Sequence, residues 1–170
     1  RMGDIVDLGQ AFGEMTLPAS PRGAFLLLAA GSGITPLMAL VRDLAGQGMP
    51  ADTTLLYWVR RRGEACFVDE LRALAAAHPR FRFRLLLTRE AAQAADEAEG
   101  RIDDVLLDTH VGDLAARQAM ACGTGGFVET ARSLLAPRVA AFQAEAFTAP
   151  PVTVVDEGEV DIRLQRSGRT

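Results

Sequence analysis

One stretch of this 170-residue chain limits the folds open to it more than any other. Ala24-Phe25-Leu26-Leu27-Leu28-Ala29-Ala30 is an unbroken apolar run, and Gly31-Ser32-Gly33-Ile34-Thr35-Pro36 follows at once. Such a run fits a central strand covered on both faces. Gly31 and Gly33 let the backbone turn sharply and allow another group to come close. Thr35 is expected to cap a helix, with Pro36 at its first position. A helix that starts at the end of a buried strand offers free amide groups and the positive end of its dipole, which is a place for a phosphate. A tight turn with no ligand is the other reading, because the third glycine of the usual dinucleotide fingerprint is replaced by Pro36.

Composition narrows the functions. The net charge of -4 gives no global field that favours nucleic acid. All 18 basic residues are arginine, which removes a phosphate-loop lysine and Schiff-base chemistry. Two cysteines, Cys66 and Cys122, are too few for a disulfide framework and fit a reducing, cytoplasmic compartment. Two separated histidines, His78 and His110, give no metal-ligand pattern, and both read as structural. No apolar run reaches membrane-spanning length. Arg1 in place of an initiator methionine raises the expectation of a fragment.

Along the chain, strands and helices alternate. The spacing predicts strands over 24–30, 53–59, 81–88, 118–122 and 140–147, and helices over 36–45, 64–77 and 127–135. Residues 89–100 read as a polar helix or a mobile arm, and 102–107 as a helical turn or two. The acids Asp96, Glu97 and Glu99 read as a solvated face, and Tyr57 and Trp58 as plain strand residues. The fold class is therefore α/β, a doubly wound parallel sheet of five strands. Residues 3–8 and 15–18 read as the end of something earlier, and 160–164 as a further half-buried strand.

A second glycine turn, Gly123-Thr124-Gly125-Gly126, follows the strand that ends at Cys122. Ligands of open α/β sheets bind outside the carboxyl ends of the strands, so both glycine turns would line that edge. Arg60, Arg61 and Arg62 follow the second strand, where an acid would hold ribose hydroxyls and an arginine would accommodate a 2′-phosphate. The nearest acid is Glu64, so the pattern favours NADP over NAD; a solvated basic loop is the alternative. Cys122 has no His or Asp partner in the sequence, so it reads as a buried hydrophobe or a thiol lining a nicotinamide pocket.

Gly31-Ser32-Gly33-Ile34-Thr35-Pro36, with Ala121-Cys122-Gly123 about ninety residues later, resembles the nicotinamide-binding domain of the ferredoxin–NADP reductase superfamily. Phe67 with Asp69-Glu70-Leu71, and Gly100-Arg101-Ile102, resemble further segments of it. Gly3-Asp4-Ile5-Val6 and Phe12 to Pro18 resemble the closing strands of its flavin-binding barrel. Glu145-Ala146-Phe147 resembles the tail of the flavohaemoglobin and phthalate dioxygenase reductase branches. Glu159 to Leu164 with Ser167-Gly168 resembles the opening strand of a two-iron two-sulfur ferredoxin domain. Thr124 departs from the family, which usually has proline there, and a looser turn is expected.

The resemblance implies three parts: the end of an FAD-binding barrel over 1–19, an NAD(P)-binding domain over 20–148, and a linker with the first strand of a ferredoxin-type domain over 149–170. It implies that NADP (or NAD) delivers hydride to FAD, and that a 2Fe-2S cluster passes electrons to an oxygenase, desaturase or haem protein. This chain alone is expected to hold neither FAD nor the cluster. Gly31, Ser32, Gly33 and Pro36 would serve the pyrophosphate loop, with Thr35 near nicotinamide and flavin. Arg60 and Arg61 would hold the adenosine phosphate, Cys122, Gly123 and Thr124 would line the nicotinamide, and Glu145 and Phe147 would sit at the flavin face. A valine at Gly33 is expected to abolish nucleotide binding and leave the fold intact. The competing reading is an interaction module that keeps the nucleotide scaffold without catalytic activity.

Overall fold

The apolar run folds as the strand its sequence predicts, β1 (Ala24–Ala30). The computed structural model describes residue 13 and residues 15–147. After β1 come α1 (Ile34–Gly46), β2 (Asp52–Val59), α2 (Val68–Ala77), β3 (Phe81–Leu87), β4 (Glu97–Glu99), α3 (Asp104–Val111), β5 (Arg117–Gly123), α4 (Gly125–Leu135) and β6 (Ala141–Ala146). Every strand pair is parallel, in the order β4-β3-β2-β1-β5-β6. The α/β class and doubly wound topology stand, with six strands in place of the expected five.

Alternation along the strands explains the two cores. Phe25, Leu27 and Ala29 of β1 face a cluster with Leu37, Met38, Val41 and Leu44 of α1 and Leu71 of α2. Leu26 and Leu28 face the other way, against Leu106, Leu107 and Val111 of α3 and Ala131 and Leu135 of α4. The central strand is thus apolar at every position because helices cover both faces. At the amino edge the buried Arg117 holds three strands together. It donates to the Phe25 carbonyl at 3.2 Å, Thr54 Oγ1 at 3.4 Å and Asp52 Oδ2 at 3.2 Å.

The sixth strand comes from the segment read as a polar helix or mobile arm. Leu85, Leu86 and Leu87 pair with Glu97, Ala98 and Glu99. Glu97 is buried, which corrects the solvated position expected for it, while Asp96 is half-buried and Glu99 is exposed. Its carboxylate accepts from Arg62 Nε at 2.7 Å and Nη2 at 2.6 Å, and from the Gln93 and Ala94 amides at 2.8 and 3.2 Å. The arginine comes from the loop after β2, so only the tertiary fold neutralises this acid.

Three further boundaries differ. The helix expected over 64–77 begins at Val68, because Phe67 takes a left-handed φ of 61° and a 3-10 turn (Arg62–Glu64) precedes it. Phe67 is consequently exposed, with the Arg42 guanidinium 5.3 Å from its ring centroid. The helical turns placed at 102–107 lie at Asp104–Val111, where the Asp103 side chain accepts from the Leu106 amide. Residues 15–18 form no strand; the Met15 amide donates to Glu145 Oε1 at 3.3 Å instead of to a neighbouring strand. The strands read over 3–8 and 160–164, and with them most of the barrel segment and all of the ferredoxin segment, lie outside the described residues.

Candidate functional site

The sheet reverses its direction of winding between β1 and β5. From β1 the chain builds β2, β3 and β4 to one side, then returns to place β5 and β6 on the other. The carboxyl ends of β1 and β5 therefore flank a crevice at the switch point, where open α/β sheets bind ligands.

Both glycine turns open there, and their backbones touch. A Cβ on Gly33 would stand 2.1 Å from the Cys122 carbonyl oxygen and 2.8 Å from the Gly123 nitrogen. A Cβ on Gly123 would stand 2.9 Å from Ala30 Cβ and 3.1 Å from Phe127 Cδ1. These two glycines are thus required by the fold itself. Gly31 differs: its φ is 56° and no atom lies within 4 Å of a Cβ built there, so it faces open space. The expectation that a valine at Gly33 leaves the fold intact is corrected by this geometry.

The start of α1 also departs from expectation. Its N-cap is Gly33, with no side-chain cap. The Thr35 hydroxyl donates to the Ser32 carbonyl at 3.0 Å and so pins the 3-10 turn (Gly31–Gly33) from within. Pro36 is the third helical residue, still in the first turn where no amide partner exists to lose. Thr124 precedes α4 with φ -67° and ψ 153°, the φ that a proline ring would fix. The threonine therefore does not loosen the turn.

Cys122 is fully buried, and burial, with the Glu145 charge beside it, pushes its thiol up to about 11. It stands as a neutral packing group against α1. Glu145 is its register partner on β6, half-buried, and bonds to Met15 as described above. Phe147 is 54% exposed, and its amide donates to the Gly123 carbonyl at 2.9 Å. Gly31, Ser32, Thr35, Gly123, Thr124, Glu145 and Phe147 are thus brought to one edge.

Arg60 and Arg61 reach the same edge from β2, on the other side of β1, and both are exposed. Arg60 Nε donates to Glu64 Oε2 at 3.0 Å. Trp58, read from the sequence as a plain strand residue, underlies the crevice together with Phe127. Trp58 is the register partner of Ala30, and its ring packs tilted against Phe127 of α4 at 5.3 Å between centroids. An open hollow of about 500 Å³ continues the edge past β3 and β4, lined by Thr88, Arg89, Glu90 and Glu99 among others.

Comparison with known proteins bears directly on this edge. The family described as the oxidoreductase NAD-binding domain matches residues 27–133. The chain belongs to this family. The matched span runs from the middle of β1 into α4, so both glycine turns and the Arg60–Glu64 segment fall inside it. The chain is 36% identical over 131 residues to an NADPH oxidoreductase of Mycobacterium tuberculosis, covering 77% of this chain and 32% of the relative. It is 32% identical over 166 residues to the NADH oxidoreductase HCR of Escherichia coli, covering 97% of this chain and 48% of the relative. Among solved structures, the flavohemoglobin of Malassezia yamatoensis with bound FAD and heme superposes with a TM-score of 0.68 at 27% identity, covering 81% of this chain and 36% of that one. The chain therefore spans about half or less of the length of these relatives.

The NAD-binding reading fits the residues present. Gly31 leaves room at the head of α1, Ser32 and Thr124 expose hydroxyls, and Arg61 exposes a positive charge. Among the described residues no cluster of three or more His, Cys, Asp or Glu could hold a metal ion. Among the same residues no helix is long and apolar enough to cross a membrane.

Proposed function

We propose that this chain is the NAD(P)H-binding module of a cytoplasmic flavoprotein reductase of the ferredoxin–NADP reductase type. The observation that carries the reading is the meeting of the two glycine turns at the switch point between β1 and β5, inside the NAD-binding match. In the whole protein the flanking segments, 1–19 and 149–170, would continue into an FAD-binding barrel and a ferredoxin-type domain. There a bound nucleotide would be the source of hydride for FAD, and a 2Fe-2S centre would give the one-electron route to an oxygenase, desaturase or haem acceptor.

This chain's own residues bind and position. Backbone amides at the head of α1, with the Ser32 hydroxyl, would hold the pyrophosphate, which the helix dipole favours. Arg61 and Arg60 would take the adenosine phosphate, which supports NADP over NAD. Gly123 and Thr124, backed by the buried Cys122, would bound the nicotinamide, with Thr35 opposite. Glu145 and Phe147 would face the flavin, and Phe147 would occupy the stacking place of the nicotinamide until displaced. No side chain has to act as general acid or base for a hydride step.

Calorimetric titration of the chain with NADPH and NADH tests the reading. Saturable binding of NADPH, weakened by Arg61→Gln, is expected. Absence of binding to either nucleotide would overturn it in favour of an interaction module on a nucleotide scaffold.

A further inference from the structure

A second cluster of basic side chains lies away from the edge that carries the glycine turns. Arg82 and Arg84 of β3 alternate onto the face from which Leu86 packs toward α3. With Phe83, and with Thr109 and His110 from the last turn of α3, they line a hollow of about 170 Å³. Arg82 pairs with Asp52, the first residue of β2, so the hollow sits toward the amino half of the sheet. Its charges do not balance. Asp52 is shared between Arg82 at 2.9 Å and the buried Arg117 at 3.2 Å. Arg84 makes no ion pair among the described residues. Its Nη1 donates to the Ala95 carbonyl at 2.7 Å, which orients the guanidinium and leaves its other N–H groups to donate. The acids next in sequence, Asp96 beside Ala95 and Asp108 beside Thr109, pair with Arg72 and Arg138.

Two further donors face the hollow. Burial, and then the Arg84 charge, lower the His110 value, so the ring is neutral near pH 7 and has one N–H to donate. β4 pairs with β3 only from Leu85, whose amide bonds outward to the Asp96 carbonyl. By the alternation of a parallel ladder the Phe83 amide faces the same way, onto an edge with no partner strand among the described residues. The Thr109 hydroxyl gives its proton to the Val105 carbonyl at 2.7 Å and so borders the hollow without donating into it. Guanidinium groups in excess of carboxylates attract an anion that accepts several hydrogen bonds. Drug-sized ligands fill about 300–1,000 Å³, so the hollow suits a small ion and not a nucleotide. We propose that this hollow between β3 and α3 binds a small oxyanion, a phosphate or a short carboxylate, held by Arg84 and Arg82 with the Phe83 amide and His110 beside them. The site is separate from the nucleotide crevice, on the opposite half of the sheet.

The test is calorimetric titration of the chain with sodium phosphate and with sodium acetate, against sodium chloride at equal ionic strength. Saturable binding of one oxyanion or both, beyond chloride, is expected. Arg84→Gln should weaken it about tenfold, and His110→Gln about two- to fivefold. Because Arg84→Gln also breaks the bond to Ala95, His110→Gln, on another element, is the independent check. Amide resonances of Phe83, Arg84 and His110 in isotope-labelled protein should shift as the oxyanion is added. Equal heats from phosphate, acetate and chloride would overturn the site. So would binding that neither variant weakens, with shifts confined to Gly31–Gly33, since the oxyanion would then sit at the glycine turn. Each of these results leaves the nucleotide reading untouched.

Discussion

Gly33 lies against the backbone of Cys122 so closely that a Cβ there would come within 2.1 Å of the carbonyl oxygen and 2.5 Å of the carbonyl carbon. Both are main-chain atoms of β5, a strand paired on both sides, and neither can swing away. Gly33→Ala is therefore expected to destabilise the fold by about 3 kcal/mol or more, at or beyond the upper end of ordinary overpacking. Gly31 is the contrasting position, left-handed in φ but with open space beside it. Gly31→Ala should cost only about 1–2 kcal/mol of backbone strain and keep the fold. Urea denaturation of the two variants checks the pair; equal midpoints would show that the two turns do not touch. Gly31 is also the better position for testing nucleotide binding apart from folding.

Thr124 already holds the backbone that proline imposes, and it follows Gly123, whose strand conformation suits a residue before proline. Its carbonyl, which Thr124→Pro would keep, accepts the Val128 amide at 3.0 Å. The substitution should stabilise the protein by about 0.5–1 kcal/mol, because it restricts the unfolded chain and leaves the folded one unchanged. A rise in thermal midpoint of a few degrees is the expected reading. A fall would mean that the Thr124 amide has a partner that matters.

Much of this was legible in the sequence because it is local. The apolar run of β1, the glycines after β1 and β5 and the alternation of elements need only neighbouring residues to be read. β4 was not legible, because Glu97 is buried only through Arg62, which lies 35 residues earlier. A string of acids with no visible partner reads as a solvated face, and here the loop after β2 supplies the partner. The role of Gly33 was half legible. Its need for close approach was clear, but the approaching group is the backbone of Cys122, which sequence spacing cannot reveal. Arg60 and Glu64 lie at a spacing that joins them locally, and that signal was available.

The two cysteines should separate cleanly by chemistry. Cys66 is exposed and Cys122 is buried. Burial, then the Glu145 charge, places the Cys122 thiol at about 11, so it stays protonated through the neutral range. A thiol-specific reagent near neutral pH should titrate one thiol in the native protein and a second only after denaturation. The folded value is raised, so its stabilising contribution is complete below the ordinary thiol value of 9.0 and is lost as pH rises through about 11. Cys122→Ala should remove that alkaline loss while creating a small cavity. Rapid modification of both thiols in the native state would contradict the packing of β5 against α1.

Glu97 sets the acid limb. The Arg62 guanidinium bonded to it, helped by the Gln93 and Ala94 amides, holds its carboxyl down at about 2 against burial. A depressed folded value means that the stabilisation is complete above the ordinary carboxyl value of 4.5 and is lost as pH falls toward about 2. Protonation would leave Arg62 with Glu90 and would free the segment that carries β4. The urea midpoint of the wild type should therefore fall between about pH 5 and pH 2. Glu97→Gln should start lower at neutral pH and lose part of that slope, because the group that titrates there is gone. Glu90→Gln, at a more exposed partner of the same arginine, is the control and should keep most of the slope. Equal acid slopes in Glu97→Gln and wild type would show that Glu97 does not carry the transition. Hydrogen exchange then reports where the loss falls, and the Leu85 amide bonded to the Asp96 carbonyl at 2.9 Å should be among the first to open.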